Sequence, residues 1–381
     1  MFLFLSNFKK IIYFDNSSTN QKPKILFKSV INILQKKNFN LNRGEYNLLQ
    51  KNTIFFKKIK IMIKKIINSS FIEEIILFYN STFSINFILL NLKNFIKVNN
   101  EILISNKEHN SVLIPILKIF KNKNIKLIIF PIYKNKININ IFCNYIKKNT
   151  FLFINNVSSN NFGYINKLKK IIKVCNYNNI ITILDATQSI SNININVKKN
   201  KIDFLFFSFH KLYSLTGVSV LYCKIFFLSK LNPILTGGGS LYYNENKFVF
   251  KNFDEKFYFG TQNIFSIYSS YYSLKWYFSN KKYIFFLNFF IKKTVFRIFS
   301  KKKSNFSNII LLKSYSSIFF SNYLDNNKII SRCDNLCNFL KKMFINKNKN
   351  CRLSYNFFNK IKEILKIKFL IFFFNFKIIN N

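Results

Sequence analysis

At 381 residues, the chain is long enough to bury a large core and to form two domains. It carries 60 Lys and Arg residues against 14 Asp and Glu residues, which gives a formal net charge of +46. Its apolar runs are too short or too interrupted for a membrane span, and Met1 to Leu5 lacks the basic residue and the length of a signal segment. We therefore expect a soluble protein with no membrane partner.

The high positive charge suggests a nucleic-acid-binding protein. However, the basic residues are spread along the whole chain, and the composition is rich in Lys, Asn, Ile, Phe and Tyr, whose codons are AT-rich. Mutational drift explains this pattern more simply than a polyanionic partner does. We expect no specific nucleic acid partner and keep a basic nucleic-acid-binding protein as the non-enzymatic alternative.

The glycines and cysteines indicate where the backbone is unusual and whether metal or disulfide sites are expected. Only seven glycines remain, so each is expected where the backbone needs a positive φ or a close approach. The six cysteines include no CxxC pair and have no histidine nearby that would complete a zinc set. We expect neither a metal site nor a disulfide framework.

The first third of the chain alternates loops, helices and a strand. Asp15 to Thr19 is a loop, and Pro23 opens a helix that is predicted to reach about Lys37. Residues 45–68 have apolar positions at helical spacing. The strand Ile75 to Phe78 is followed by Asn80, Ser81 and Thr82 at the start of a helix to about Phe95, which predicts either an anion site or an ordinary N-cap.

Short apolar runs separated by helical lengths then recur, which favours a mostly parallel sheet with helices on both faces. These runs are Ile102–Ile104, Ile125–Phe130, Phe151–Ile154, Ile181–Leu184, Phe204–Phe207 and Val218–Tyr222. Helical segments are predicted from about residue 264 to 304, and residues 305–381 as a small α+β unit whose last helix covers Asn359 to Ile367. The predicted domains are a large one over 20–265 and a small one formed by 1–19 and 266–381.

Polar residues follow several of these runs, and ligand crevices of open α/β sheets form at that edge. The sequence Ser208-Phe209-His210-Lys211 follows a buried run, and a lysine amine in a partly desolvated pocket suits imine chemistry with pyridoxal phosphate (PLP). Asp185 ends another run, where a buried carboxylate needs a partner. That partner is a pyridinium nitrogen, a neighbouring lysine or a helix cap.

In order, these motifs resemble those of the class V family of fold type I PLP enzymes, and more narrowly the group II (SUF-type) cysteine desulfurases. The matching segments are Tyr13–Pro23, Asn42–Gly44, Asn80–Thr82, Glu108–Ser111, Asp185–Gln188, Ser208–Lys211, Gly237–Gly239 and Gly260–Asn263. The match covers about residues 13–265 and resumes at 331–360. The resemblance implies an α/β fold with a seven-stranded, mostly parallel sheet, helices on both faces, and a small α+β C-terminal domain.

The resemblance also implies roles for individual residues. Lys211 would hold PLP as an imine and act as the base at the substrate Cα, while His109 would lie against the pyridine ring. Asp185 would pair with the ring nitrogen and Gln188 with the ring hydroxyl. The remaining cofactor and substrate contacts are assigned to Ser81, Thr82, Ser208, His210, Thr261 from a second subunit, Asn160 and Arg43.

The C-terminal segment distinguishes a desulfurase from an aminotransferase. Cys337 takes the register of the catalytic cysteine, with Cys333 as the competitor, and Arg352 matches the arginine that binds the substrate carboxylate. The segment departs from the family pattern, since the Gly-His-His before the cysteine is absent and Asp334 replaces a glycine.

The function implied by the resemblance is a homodimeric, PLP-dependent cysteine desulfurase. It would convert L-cysteine to L-alanine and place the sulfur on Cys337 as a persulfide for sulfur-acceptor and iron–sulfur scaffold proteins. A selenocysteine lyase, or another class V lyase or aminotransferase, is the enzymatic alternative. The expected location is the cytoplasm of a reduced-genome bacterium or the plastid stroma.

Overall fold

Helices make up most of the regular structure. The computed structural model describes residues 2, 10–36, 47–121, 123–132, 137–244, 247–299, 307–313, 317–333, 350–373 and 377–378. In this part of the chain the α-helices are Lys24–Lys36, Asn47–Ile67, Ser81–Leu92, Asn110–Ile119, Ile139–Asn144, Lys169–Tyr177, Val197–Asn200, Ile225–Leu228, Ile264–Ile298, Ser317–Asn326 and Ile361–Phe373. No helix in these ranges combines the length and the apolar character needed to cross a membrane.

The strands are numbered here in chain order. They are β1 (Ile12–Tyr13), β2 (Ile75–Phe78), β3 (Glu101–Ser105), β4 (Lys126–Phe130), β5 (Thr150–Asn156), β6 (Ile181–Asp185), β7 (Phe204–Ser208), β8 (Ser219–Cys223), β9 (Leu241–Asn244), β10 (Lys247–Phe250), β11 (Ile309–Lys313), β12 (Ile329–Ile330), β13 (Arg332–Cys333), β14 (Asn350–Ser354) and β15 (Lys377–Ile378).

The main sheet contains seven strands in the order β2-β8-β7-β6-β5-β3-β4. The neighbouring pairs from β7 to β4 are parallel, while β8 is antiparallel to both β7 and β2. The six strands other than β8 therefore point their carboxyl ends toward the same edge. All five residues of β3, β7 and β8 are buried, as expected for strands covered on both faces.

Helices cover both faces of this sheet because its apolar side chains point alternately to one face and to the other. Ile102 and Ile104 of β3 belong to the large core beneath the helices Asn47–Ile67 and Ser81–Leu92. Leu103, between them, packs on the opposite face with side chains from the helices Ile139–Asn144 and Lys169–Tyr177. This is the two-residue period of a strand.

A second, smaller sheet is antiparallel, with the order β13-β14-β11-β15. The N-terminal segment joins this part of the molecule, because β1 pairs in parallel with β12 and Asp15 bridges to Ser354. Phe14 is fully buried in the small core with Leu353 and Ile364. The N-terminal loop is therefore held beside β14.

The helix Ile264–Ile298 connects the two cores. Its first half buries Ile267, Leu274 and Tyr277 in the large core, and Ile291 and Val295 enter the small core. The sequence predicted several helical segments here, but the structure has one continuous helix of 35 residues. The last helix also differs, since it continues past Ile367 to Phe373.

Candidate active site

A cavity of about 230 Å³ lies at the carboxyl edge of the main sheet. Its walls come from the segments that follow β2, β3, β5, β6 and β7, from the N-terminal loop and from β14. Of the predicted site residues, ten line it: Ser81, Thr82, His109, Asn160, Asp185, Gln188, Ser208, His210, Lys211 and Arg352. Segments far apart in sequence thus meet at one place because parallel strands end at one edge.

Three hydroxyl groups meet at the start of the helix Ser81–Leu92. The Oγ atoms of Ser81 and Ser208 are 2.6 Å apart, and Ser81 Oγ lies 3.4 Å from Thr187 Oγ1. Ser81 N–H donates to Ser208 Oγ at 3.2 Å, and Asn80 caps the helix by accepting from Phe83 N–H at 2.8 Å. Amides and the positive end of the helix dipole favour an anion at such a position. We call Ser81, Thr187 and Ser208 the hydroxyl cluster.

His210 lines the same cavity, two positions after Ser208 in the sequence. Burial, with smaller contributions from Lys211 and Lys22, lowers the pKa of His210 to about 3, so the ring is neutral at neutral pH. Its Nδ1 atom is buried and has no hydrogen-bond partner within the described residues. Its main-chain carbonyl accepts from Lys22 Nζ at 3.1 Å and from Asn20 N–H at 3.2 Å, which fixes the backbone here. A buried ring nitrogen that lacks a protein partner is available to a ligand.

Lys211 and Asp185 both line the cavity, and the Asp185 carboxylate acts electrostatically on the Lys211 amine. Burial lowers the pKa of Lys211 to about 8; Asp185 opposes this shift, whereas Arg352 and Arg332 reinforce it. The neutral, nucleophilic fraction of the Lys211 amine near neutral pH is therefore much larger than that of an exposed lysine. Asp185 ends β6, and its Oδ1 accepts from Thr187 N–H at 2.8 Å, which orients the carboxylate.

His109 caps the helix Asn110–Ile119 with its side chain. Its Nδ1 accepts from Ser111 N–H at 3.0 Å and lies 2.8 Å from Ser111 Oγ. Burial lowers the pKa of His109, and Asp185 opposes the shift. Because Nδ1 accepts from a main-chain N–H, the neutral ring carries its proton on Nε2.

Glu108, the residue before His109, has a buried carboxyl group that holds the ends of β3 and β5 together. Its Oε1 accepts from Ser105 Oγ at 2.5 Å, from Asn156 N–H at 3.1 Å and from Asn156 Nδ2 at 2.9 Å. Burial raises the pKa of Glu108 to about 8, so it is largely protonated at neutral pH. The contacts fix the segment after β3, which carries His109, against the end of β5.

Two arginines from the small sheet close one side of the cavity. Arg352 is almost fully buried and donates to Asp15 Oδ1 at 2.8 Å and to Ser18 Oγ at 2.9 Å. Its Nη1 also lies 3.2 Å from the carbonyl oxygen of Asn160. Arg332, on β13, donates to the same Ser18 Oγ at 2.8 Å. This cluster concentrates positive charge where a substrate carboxylate could bind.

Three predicted residues are not in this wall. Thr261 is exposed and does not line the cavity formed by one chain. Cys337 and Arg43 lie outside the described residues.

The structure also adds residues to which the sequence assigned no role in the site, among them Asp15, Ser18, Lys107 and Thr187. It also gives Arg332 a place in the cavity wall. The available signal for Asp15 was its rarity, since the chain has only 14 acidic residues.

Comparison with known proteins identifies the family. The model of the class-V aminotransferases matches residues 12–284, a range that contains both the hydroxyl cluster and Lys211. The chain belongs to the class-V aminotransferase family. The prediction that it is an enzyme of this family is thereby confirmed, whereas the narrower assignment to group II is a proposal.

Similar proteins in this family carry related names. A probable cysteine desulfurase from Borreliella burgdorferi is 30% identical over 93% of this chain and 90% of its own length. The structure of a cysteine desulfurase from Thermococcus onnurineus superimposes with a TM-score of 0.89 at 23% identity, covering 97% of this chain and 95% of that one. The structure of a C-DES variant with glycine linked to its PLP cofactor has a TM-score of 0.81 at 16% identity, covering 96% of this chain and 97% of that one. These superpositions confirm the predicted fold.

Proposed function

We propose that this class-V enzyme is a PLP-dependent cysteine desulfurase of the group II type, which converts L-cysteine to L-alanine and takes the sulfur onto Cys337. The observation that carries the proposal is the convergence of four groups on one cavity. These are a buried lysine amine with a lowered pKa, an oriented carboxylate, an anion site and a buried arginine: Lys211, Asp185, the hydroxyl cluster and Arg352.

The donor set fits PLP. The hydroxyl cluster, the start of the helix Ser81–Leu92 and the Nδ1 of His210, which has no partner among the described residues, suit a phosphate group. Asp185 would face the ring nitrogen and Gln188, whose Nε2 donates to the Ser17 carbonyl at 2.8 Å, the ring hydroxyl. When bound, PLP supplies a carbonyl for the Lys211 amine and an electron-accepting ring.

Lys211 then serves as the base of the reaction. Its lowered pKa leaves a large neutral fraction near pH 8, and a neutral amine can take the proton from the substrate Cα. Asp185 would keep the opposite end of the site negatively charged. The hydrogen bond that its Oδ1 accepts from Thr187 N–H holds the carboxylate in place.

Arg352 would bind the carboxylate of the substrate. A guanidinium group binds a carboxylate through two parallel hydrogen bonds. Asp15 Oδ1 already accepts a hydrogen bond from Arg352 Nη2 at 2.8 Å. The substrate carboxylate must therefore either share Arg352 with Asp15 or displace the Asp15 carboxylate. Arg332, which also contacts Ser18, provides a second cation beside this position.

Cys337 is proposed as the sulfur acceptor on the basis of its place in the sequence, fifteen positions before Arg352. A thiolate is the reactive form, and the strongly basic character of the chain, with a net charge of +46, would favour it. Cys333, on β13, is the competing residue. The persulfide would then pass to acceptor and scaffold proteins of iron–sulfur cluster assembly.

A homodimer would complete the site. The hairpin β9–β10 exposes Tyr242, Tyr243 and Phe248 to more than half of their full surface, a sizeable apolar area for a monomer. Thr261 is exposed as well, as expected of a residue that reaches into the site of a second subunit.

The function is tested by single-turnover mass spectrometry on the full chain loaded with PLP. With L-cysteine and no reductant, we expect one equivalent of alanine and the gain of one sulfur on the Cys337 peptide. The sulfur should be lost in Cys337→Ser and kept in Cys333→Ser. Sulfur on Cys333 would reverse the cysteine assignment, and its absence from both would remove the persulfide mechanism.

Substrate kinetics test the alternative enzyme. The ratio of kcat/KM for L-cysteine to that for L-selenocysteine separates a desulfurase from a selenocysteine lyase. A chain that turns over only the selenium substrate would contradict the proposal. The same holds for a chain whose visible spectrum does not change when PLP is added.

A further inference from the structure

Two cysteines face each other on neighbouring strands at the edge of the small sheet. Strands β13 and β14 are antiparallel, and their register places Cys333 directly opposite Cys351. The same two strands carry Arg332 and Arg352, which are also directly opposite each other. The dithiol thus sits one residue from each arginine of the cavity wall.

The separation of such a pair suits a disulfide. Residues directly opposite in an antiparallel ladder have Cα atoms about 4.5 or 5.5 Å apart and side chains on the same face. Disulfides span Cα separations of about 4.4–6.8 Å. A bond between Cys333 and Cys351 therefore needs no large movement of the backbone.

The two thiols also influence each other electrostatically. A hydrogen bond with the Cys333 thiol is the main cause that raises the pKa of Cys351, followed by burial. The Cys351 thiol also lies 3.7 Å from the Oγ atom of Ser331, the residue directly before β13. Within the described residues, no cluster of three or more metal-binding side chains includes this pair.

The two cysteines differ in exposure. Cys351 is fully buried, whereas Cys333 is partly exposed. A small oxidant can therefore reach Cys333 first, while Cys351 is placed to react with the oxidised sulfur from within the protein. This division into an attacked and a resolving thiol is typical of redox-active cysteine pairs.

We propose that Cys333 and Cys351 form a redox-active dithiol that small hydroperoxides convert into a cross-strand disulfide. The Cys333 thiolate attacks one peroxide oxygen, the O–O bond breaks, and a sulfenic acid forms with release of water or alcohol. The sulfur of the Cys351 thiol then forms the S–S bond, and the thiol proton and the displaced hydroxyl group leave together as water. The two thiols lose two electrons and two protons, and the peroxide takes up both.

The bond would tie together the strands that carry the two arginines. Arg332 and Arg352 both donate to Ser18, so the crosslink would fix both sides of this arrangement. It would also close a covalent ring over residues 333–351, a stretch of sequence that includes Cys337. The oxidation state of the pair would thereby act on the arginine side of the cavity.

The test is peptide mapping without reduction, which needs no turnover and so stands apart from the proposed function. The full chain carrying Cys337→Ser, which removes a competing thiol, is treated with one equivalent of hydrogen peroxide. We expect a peptide pair that joins Cys333 to Cys351 and has lost two hydrogen atoms. Reduction with dithiothreitol should restore both thiols.

Matched variants keep the test decisive. Cys333→Ala, at the partly exposed position, should abolish the crosslink, and Cys143→Ser, at an exposed helix, should leave it unchanged. A crosslink between Cys143 and Cys175, a crosslink between two chains, or a sulfinic acid at Cys333 without any crosslink would each overturn the proposal. So would two thiols that stay reduced.

Discussion

At the scale of single residues, two lysines of the cavity have similarly lowered pKa values. Burial lowers the pKa of Lys211 and that of Lys107 to about 8. Because only the neutral amine attacks an aldehyde, PLP capture should accelerate with rising pH and level off above about pH 8, well below the value of about 10.4 typical of an exposed lysine. The rate at which visible absorbance grows after PLP is mixed with the apo protein measures this.

Peptide mapping separates the two lysines. Borohydride reduction should leave the pyridoxyl group on Lys211, both in the wild type and in Lys107→Ala, while Lys211→Ala should lose the label and all turnover. The sequence favours Lys211 because it follows β7 directly. A label on Lys107 would show that the wrong amine had been assigned.

Asp185 allows a charge to be removed without removing a hydrogen bond. In Asp185→Asn, the amide oxygen can still accept from Thr187 N–H, so the fold should persist and PLP should remain bound. The loss of the negative charge weakens the electron-accepting ring, and about 3 kcal/mol of lost transition-state stabilisation lowers the rate roughly a hundredfold. Near-wild-type turnover in this variant would mean that the ring nitrogen has another partner.

Asp15 tests the charge balance around Arg352. Asp15→Asn would leave the guanidinium, which is 2% exposed, without its carboxylate partner. Removing one member of a buried ion pair costs about 3 kcal/mol, so the midpoint of urea unfolding should fall clearly. Asp325→Asn, at an exposed position, is the control and should leave the midpoint unchanged. Equal effects in both variants would rule out a specific role for the Asp15–Arg352 pair.

At the scale of elements, Gly217 shows why a few glycines were retained. Its φ is +96°, and an added Cβ would approach Asn263 Nδ2 to 2.8 Å and Ser266 Oγ to 3.0 Å. Those two residues form the start of the helix Ile264–Ile298, where Asn263 Oδ1 accepts from Ser266 N–H. Gly217 thus lets the segment after Lys211 pack against the helix start.

We expect Gly217→Ala to lower the free energy of unfolding by about 1–3 kcal/mol through backbone strain and crowding. Gly237→Ala is the matched control, because its nearest neighbour to an added Cβ is Phe259 Cβ at 3.8 Å and its φ is not positive. Urea unfolding of both variants measures the difference. A Gly237→Ala variant as unstable as Gly217→Ala would point to a general intolerance of alanine.

Many of the elements were predictable because their signals are local. The apolar runs correspond to β2–β8, and the polar residues after them lie where the strands end. The helix predicted over 45–68 is present as Asn47–Ile67. Local periodicity does not say which distant loop packs on a strand, so the contact of Asp15 with Arg352, 337 positions apart, was not predictable.

The same limit applies to the pairing of Cys333 with Cys351. The sequence marked Cys333 as a competitor of Cys337, four residues away, but the strand opposite Cys333 begins seventeen residues later. Pairing across such a distance depends on register, which the apolar pattern of a two-residue strand cannot specify. Continuity of the helix Ile264–Ile298 was not predictable either, because buried polar residues such as Ser269, Ser273 and Asn288 interrupt its apolar pattern.

At the scale of the whole molecule, the net charge of +46 gives a negative prediction. If drift produced this charge, binding to DNA should be non-specific, about micromolar or weaker, and should fall steeply with salt. Fluorescence anisotropy with two unrelated duplexes at two salt concentrations measures it. Nanomolar, sequence-selective binding at physiological salt would restore the nucleic-acid-binding alternative.

The predicted division into a large domain over 20–265 and a small one over 1–19 and 266–381 stays a prediction. The sheets are separate, and the N-terminal loop does lie beside the small sheet. The helix Ile264–Ile298, however, starts at the proposed border and spends its first half in the large core.

That helix has a practical consequence for dissecting the protein. At 1.5 Å per residue its 35 residues span about 50 Å. Its first half packs in the large core, and its last turns pack in the small core. A fragment that stops at residue 265 would lose Tyr268, Leu274 and Tyr277. The apolar side chains of the large core that they cover would then be exposed to water. The complementary fragment would carry the same side chains uncovered, so both halves would aggregate where the intact chain folds.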